Sequence, residues 1–223
     1  MDHFQRNAGT AGLAAGVLLI VLMGLIFTLG LRPEEFGDPA KALALSRDKG
    51  TQVAAIAIVG AATSALGILL AAGLAARLRD RAPTRATAQL YYAVIGLTAL
   101  TLDANIRWLG GAVLTGMSDQ TVAASAYVAL NAVGMGIAGL GNGFTGASLL
   151  LVGWAILSTR ALPTVLGWVG VLAGVVTAAT TVLPPGPLFL LSFVLTIVWL
   201  LWAGSALRRP AMAMAAEVRS TIR

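Results

Sequence analysis

The sequence predicts an all-α fold: a polytopic membrane protein built as a compact bundle of six transmembrane helices. Three observations carry that expectation. Of the 223 residues, 58% are hydrophobic and 11% are charged, with mean hydropathy +0.87. A soluble domain of this size has too little interior to hide so much apolar surface, whereas a bilayer accepts it. Six apolar stretches reach the roughly 20 residues that a helix needs to cross a ~30 Å hydrocarbon core. Finally, the basic residues alternate from one connector to the next.

The first stretch covers about 11–31 and carries the run Val17-Leu18-Leu19-Ile20-Val21-Leu22. Arg6 precedes it, as in a signal peptide. No Ala-x-Ala cleavage pattern follows before Pro33-Glu34-Glu35, so it reads as an uncleaved anchor. The connector 32–52 is the sizeable external segment. Within it, Asp38 is expected as an N-cap, Pro39 as the first helical residue and Gly50 as the stop of a short helix that covers the bundle. The second stretch is 53–74. The third, 90–116, holds the most polar residues: Thr98, Thr101, Asp103, Asn105 and Arg107. The fourth lies at about 125–157 and has glycine at 134, 136, 139, 141, 143 and 146. Glycine weakens a helix by roughly 1 kcal/mol relative to Ala. A break near Gly141-Asn142-Gly143 is therefore weighed against a continuous glycine-lined helix, and the continuous form is preferred. The fifth stretch is 165–183, before Pro184-Pro185, and the sixth is 188–207, before Arg208-Arg209-Pro210. Residues 208–223 form a tail.

Orientation follows from Lys and Arg in the short loops. Arg6, Arg77, Arg79, Arg81, Arg85, Arg160, Arg208, Arg209, Arg219 and Arg223 fall on one side. Arg32, Lys41, Arg47 and Lys49 fall on the other, offset by Glu34, Glu35, Asp38 and Asp48. Both termini are thus expected in the cytoplasm, with the protein in the inner (cytoplasmic) membrane. The formal charge of +6 is read as topology-setting rather than as a nucleic-acid surface, because no basic face interleaves with aromatics. Membrane lipids are the expected partners. Arg77, Arg79, Arg81 and Arg85 are candidates for contact with anionic lipid, at about 1 kcal/mol for each charge near the surface; topology alone explains them equally well.

The chemistry available is narrow. Cysteine is absent and His3 is the single histidine, which leaves no thiolate or imidazole set for a metal or haem. No cofactor is expected. No paired carboxylates or Ser with a nearby base suggest an enzyme.

Helix contacts in lipid rely on small residues, and three stripes offer them. The second stretch has Gly60, Ser64 and Gly67. The fourth has Asn131, Gly134, Ala138, Gly141, Asn142, Thr145 and Ser148. The fifth has Gly167, Gly170, Gly174, Thr177 and Thr181.

Asp103 and Arg107 stand four apart, Asp first, which is a favourable helical ion pair. At the bilayer centre each charge costs about 2.5–3.5 kcal/mol, so their helix belongs inside the bundle. Its inward face would combine Gly96, Ala99, Asp103, Arg107 and Gly110. With Tyr91-Tyr92 and Trp108 as aromatic belts, seventeen residues or about 26 Å apart, Arg107 lies near the outer interface and Asp103 one turn deeper. Two readings stand: a locally satisfied pair that fixes packing, and an outward polar pocket that uses Asp103, Arg107, Asn131, Asn142 and Thr145 to bind a ligand. The pair is expected to face Asn131 or Asn142.

The layout of six spans, the acidic first connector and the run Leu-Pro-Thr-Val-Leu-Gly-Trp at 162–168 together resemble a family of small bacterial membrane proteins called domain of unknown function 4386. The resemblance covers the chain to about Leu207 and implies the fold and the membrane location. It supplies no catalytic residues. The function expected from these residues is non-enzymatic binding or transport of a small molecule, lipid or ion. The alternative is a structural or regulatory subunit that packs on a partner, or on a second copy, through its small-residue faces.

Overall fold

The computed structural model describes residues 3–30, 38–182 and 187–209, and every element within them is helical. Helix α1 is His3–Leu29, α2 is Pro39–Asp48 and α3 is Gly50–Leu78. Helix α4, Pro83–Ala104, continues through a π-helical turn at Asn105–Leu109 into α5, Gly110–Leu114. Helix α6 is Gln120–Thr159, α7 is Thr164–Ala179 and α8 is Pro187–Arg208.

The long helices pack in chain order. Helix α1 lies on α3, α3 on α4, α4 on α6, α6 on α7 and α7 on α8, and α8 returns to α1 to close a ring. Lighter contacts from α3 to α6 and α8 place it toward the middle of the bundle. One apolar core gathers Ala8 from the start of α1, Ala86 from the start of α4 and Leu166 from the start of α7. The same core takes Leu78, Ile156 and Leu207 from the ends of α3, α6 and α8. Successive long helices therefore run antiparallel, as short connections between neighbours require.

Glycine sets the closest approaches. On α1, Gly9, Gly12 and Gly16 meet Gly204 and Leu201 of α8 and Leu70 of α3. A Cβ on Gly204 would lie 2.7 Å from the Gly9 carbonyl oxygen, so the two backbones touch. The α7 stripe behaves likewise. Gly167 and Gly170 meet α6 at Gly153, Gly174 meets the Gly146 carbonyl, and the Thr177 hydroxyl hydrogen-bonds Ser192 of α8 at 2.8 Å. The α3 stripe is only half used: Gly67 packs on Leu97 of α4, while a Cβ on Gly60 would meet nothing within 4 Å.

Helix α2 covers one end. The Asp38 carboxylate accepts from the backbone N–H of Ala40 and Lys41, with Pro39 in the first turn. Ala42 and Leu43 form a small apolar cluster with Ala123 and Tyr127 of α6. The expected stop at Gly50 is corrected. The helix ends at Asp48, and Gly50 begins α3. Lys49 makes the turn instead, and its ammonium donates to the Thr28 and Leu29 carbonyls at the end of α1. That interaction satisfies carbonyls that the helix itself leaves open and places a cation at its negative end.

Helices α1, α3, α6 and α8 are long and apolar enough to cross a membrane by length and composition. Helix α7 is apolar but shorter, at 16 residues. The residues of the expected third span lie in α4, its π turn and α5, which run on without a gap from Pro83 to Leu114. Helix α6 runs unbroken for 40 residues through Gly141-Asn142-Gly143, about 60 Å at 1.5 Å per residue. The length is explained at its start, where Asp119 caps the helix and the first turns pack beneath α2, beyond the main core. The parts of the expected connector at 31–37, Pro184-Pro185 and the tail from 210 lie outside the described residues.

Candidate functional site

The contact between α4 and α6 holds Gln89, Asp103 and Ser148, three of the seven buried polar or charged residues among those described. At one end Gln89, 1% exposed, donates through Nε2 to the Ala71 carbonyl of α3 at 2.8 Å. The Ser148 hydroxyl of α6 donates to the Gln89 carbonyl at 2.9 Å and also approaches Oε1 at 3.3 Å. One side chain thus ties three helices together. Sequence spacing pointed to Ser148 but not to Gln89. The available signal was an isolated amide at the start of an otherwise apolar run, which must find partners once buried.

Further along, Gly96 lies against Thr145 and the Gly141 carbonyl, and Gly141 lies against Leu100. The Thr145 hydroxyl is buried without a hydrogen-bond partner. A Cβ on Gly96 would lie 2.6 Å from the Thr145 backbone nitrogen and 2.9 Å from the Gly141 carbonyl oxygen, so the two backbones approach closely here.

Asp103 and Arg107 come next on the same face. Arg107 Nη2 donates to Asp103 Oδ2 at 2.6 Å. The Asp103 side chain is 9% exposed and that of Arg107 27%. Both pack on Gly134 of α6: a Cβ there would sit 2.5 Å from Arg107 Cγ and 2.9 Å from Asp103 Oδ1. The pair therefore faces the α6 stripe rather than lipid, at its glycine rather than at its asparagines. The expected partners are placed elsewhere. Asn131 donates along its own helix to the Met135 sulfur at 3.8 Å, and Asn142 is half-buried and makes no hydrogen bond with the pair.

The pair is only half satisfied. Asp103 Oδ1 and Arg107 Nε are buried without partners. An ionised carboxylate with a free lone-pair oxygen in an apolar setting is an unmet acceptor. The π turn at 105–109 begins two residues after Asp103. Such turns are uncommon and recur at functional positions. Spacing rules for a 3.6-residue helix do not anticipate it. Beyond it, Gly110 packs on Leu130, and Gly111 on Ser46 of α2 and the Tyr127 ring. Asn105 Nδ2 donates to the Thr101 carbonyl at 2.8 Å.

The arginine connector lies at the opposite end of α4. Arg81 Nη1 donates to the Thr159 carbonyl at 3.2 Å, at the end of α6. Arg85 Nη1 donates to Ser158 Oγ at 2.7 Å, with its guanidinium 5.1 Å from the centre of the Trp154 ring. Arg77 is half-buried. Arg79 borders an open cleft of about 530 Å³ with Pro83, Thr84 and Tyr91. A larger groove of about 740 Å³ runs between α4, α6 and α7, past Tyr92, Leu151, Trp154 and Trp168. Neither cleft reaches Asp103. Among the described residues no three His, Cys, Asp or Glu side chains gather as a metal set.

A family model described as Domain of unknown function (DUF4386) matches residues 12–206. No curated protein and no solved structure matches the chain.

Proposed function

We propose, from a chain that belongs to the DUF4386 family, a six-span inner-membrane protein that binds or carries a small ligand without catalysing a reaction. Both ends would lie in the cytoplasm, which puts α2 and the Asp103 end of α4 on the outer side. The antiparallel ring of helices and the one-sided distribution of arginine support this arrangement.

One observation carries the binding reading. Asp103 is buried, and one of its two carboxylate oxygens is left without a donor beside a glycine and a π turn. A proton, a small cation or a ligand N–H would satisfy Oδ1. Arg107, the more exposed member of the pair, lies toward the entry side beneath α2. Intramembrane carboxylates that face the bundle interior are typical of ion and proton pathways. The test is thermal unfolding of the purified chain against a series of monovalent and divalent cations and neutral polar solutes. A stabilising shift in the wild type that is lost in Asp103→Asn supports the site. Identical ligand profiles in the two proteins would leave Asp103 with a packing role only.

A second reading rests on Gly60 and Gly136, where an added Cβ would meet nothing within 4 Å of this chain. Small-residue faces left open within one chain suit a partner helix or a second copy. Mass measurement in detergent, with Gly60→Leu and Gly136→Leu, tests it. Loss of a dimer in either variant supports an assembly role, and a monomer throughout rejects self-association.

A further inference from the structure

We infer that the groove between α4, α6 and α7 is a binding site for one anionic glycerophospholipid, with an acyl chain along the groove and the phosphate held by Arg85. The inference is independent of Asp103, which the groove does not reach.

Shape supplies the first argument. On α6 the groove runs from Ala147 to Ser158, eleven residues or about 16 Å at 1.5 Å per residue. One leaflet of a ~30 Å hydrocarbon core is about 15 Å deep, so the groove matches the reach of a chain anchored at the interface. Its walls are apolar along this length, with Leu150, Leu151 and Val171 between Tyr92 and Trp154. Tyr92 is stacked on Phe144 at 5.6 Å, which holds its ring in place at the deep end.

Charge supplies the second. Apart from the Tyr92 hydroxyl, the polar groups of the wall lie at the opposite end, with Ser158 and Trp154. Arg85 is bound to both, through the Ser158 hydroxyl and across the Trp154 ring. Those contacts fix the guanidinium at the groove mouth while using one of its five N–H donors. No carboxylate among the described residues pairs with Arg85. A planar fork with spare donors suits a phosphodiester, which accepts two parallel hydrogen bonds. Trp154 and Trp168, 59% and 62% exposed, flank the groove as the amphipathic rings of a membrane interface do. A fixed cation at one end of a leaflet-deep apolar channel is complementary to an anionic lipid, and to a zwitterionic one only in part.

The experiment is native mass spectrometry of the full chain in an equal mixture of phosphatidylglycerol and phosphatidylcholine. The wild type is expected to retain one phosphatidylglycerol in preference. Arg85→Gln should lower that preference about fivefold, as expected for one interfacial charge. Arg208→Gln removes a charge at the same end of the bundle but outside the groove and should leave the preference unchanged. Leu151→Trp and Ala147→Leu fill the groove with every arginine intact, and either one, checked for a wild-type unfolding temperature, should lose the bound lipid. The proposal is overturned by no preference in the wild type, by an equal loss in Arg208→Gln, or by full retention in a folded groove-filling variant.

Discussion

Gly134 and Asp103 touch across the α4–α6 contact, so closely that a Cβ on Gly134 would lie 2.9 Å from Asp103 Oδ1 and 2.5 Å from Arg107 Cγ. The glycine is the space in which the ion pair rests. Gly134→Ala is expected to destabilise the bundle by about 1–3 kcal/mol through overpacking. Gly136→Ala, two residues away with open space around it, should have no such effect. Thermal unfolding in detergent distinguishes the two.

Breaking the pair should cost more than removing it. Arg107→Leu leaves the Asp103 carboxylate buried with no donor, whereas Asp103→Asn combined with Arg107→Leu removes both charges. The single variant is expected to be less stable than the double by about 1–3 kcal/mol, below the range for fully buried pairs because Arg107 is part-exposed. An additive outcome in unfolding experiments would show that the two side chains act independently.

Gln89 is expected to couple to Ser148. Replacing Gln89 with Ala removes the bond to Ala71 and frees the Ser148 hydroxyl from one of its two neighbours. A double-mutant cycle with Ser148→Ala should return a coupling of about 0.5–1.7 kcal/mol, the scale of interhelical hydrogen bonds in membranes. Zero coupling would mean that Ser148 is held by the Gln89 backbone carbonyl alone.

The cover helix should detach locally. Arg47 Nη2 bonds Gln120 Oε1 at 3.0 Å, and Asp38 caps the start of α2. Asp38→Ala is expected to cost α2 about 0.5–2 kcal/mol. Hydrogen exchange at 39–48 should accelerate, while amides of the distant core around Leu74 and Ile156 keep their protection.

The natural absence of cysteine makes topology directly testable. In intact cells, Ser118→Cys between α5 and α6 should react with an impermeant maleimide. Thr84→Cys in the first turn of α4 should react only after the membrane is opened. The reverse pattern would invert the orientation, and equal reactivity would remove the span between them.

Some of the candidate site could be read from spacing. Asp103 and Arg107 four residues apart imply a pair on one helical face, and the fourth stretch's Gly134, Gly141 and Thr145 imply a face that another helix can approach closely. Both hold because a helix repeats every 3.6 residues, so spacing alone fixes which side chains share a side. Spacing could not assign partners across the contact. Asn131 and Asn142 share the stripe, yet the register of α4 on α6 sets the pair against Gly134. Gln89 was missed because a single amide among apolar residues has no periodic signature.

An all-helical chain with the hydropathy of a membrane protein, the cap at Asp38, the pairing of Asp103 with Arg107 and membership of a family are all legible in the residues alone. These follow from composition and from contacts within a few residues. The ring order with α8 closing on α1, the π turn after Asp103, the bridging of three helices by Gln89 and the choice of which Asp103 oxygen goes without a donor come from packing between helices. Each of these depends on how far one helix slides and turns against another. That is set by close packing of residues distant in sequence, such as Gly9 with Gly204 and Gly96 with Thr145, and local periodicity carries no record of it.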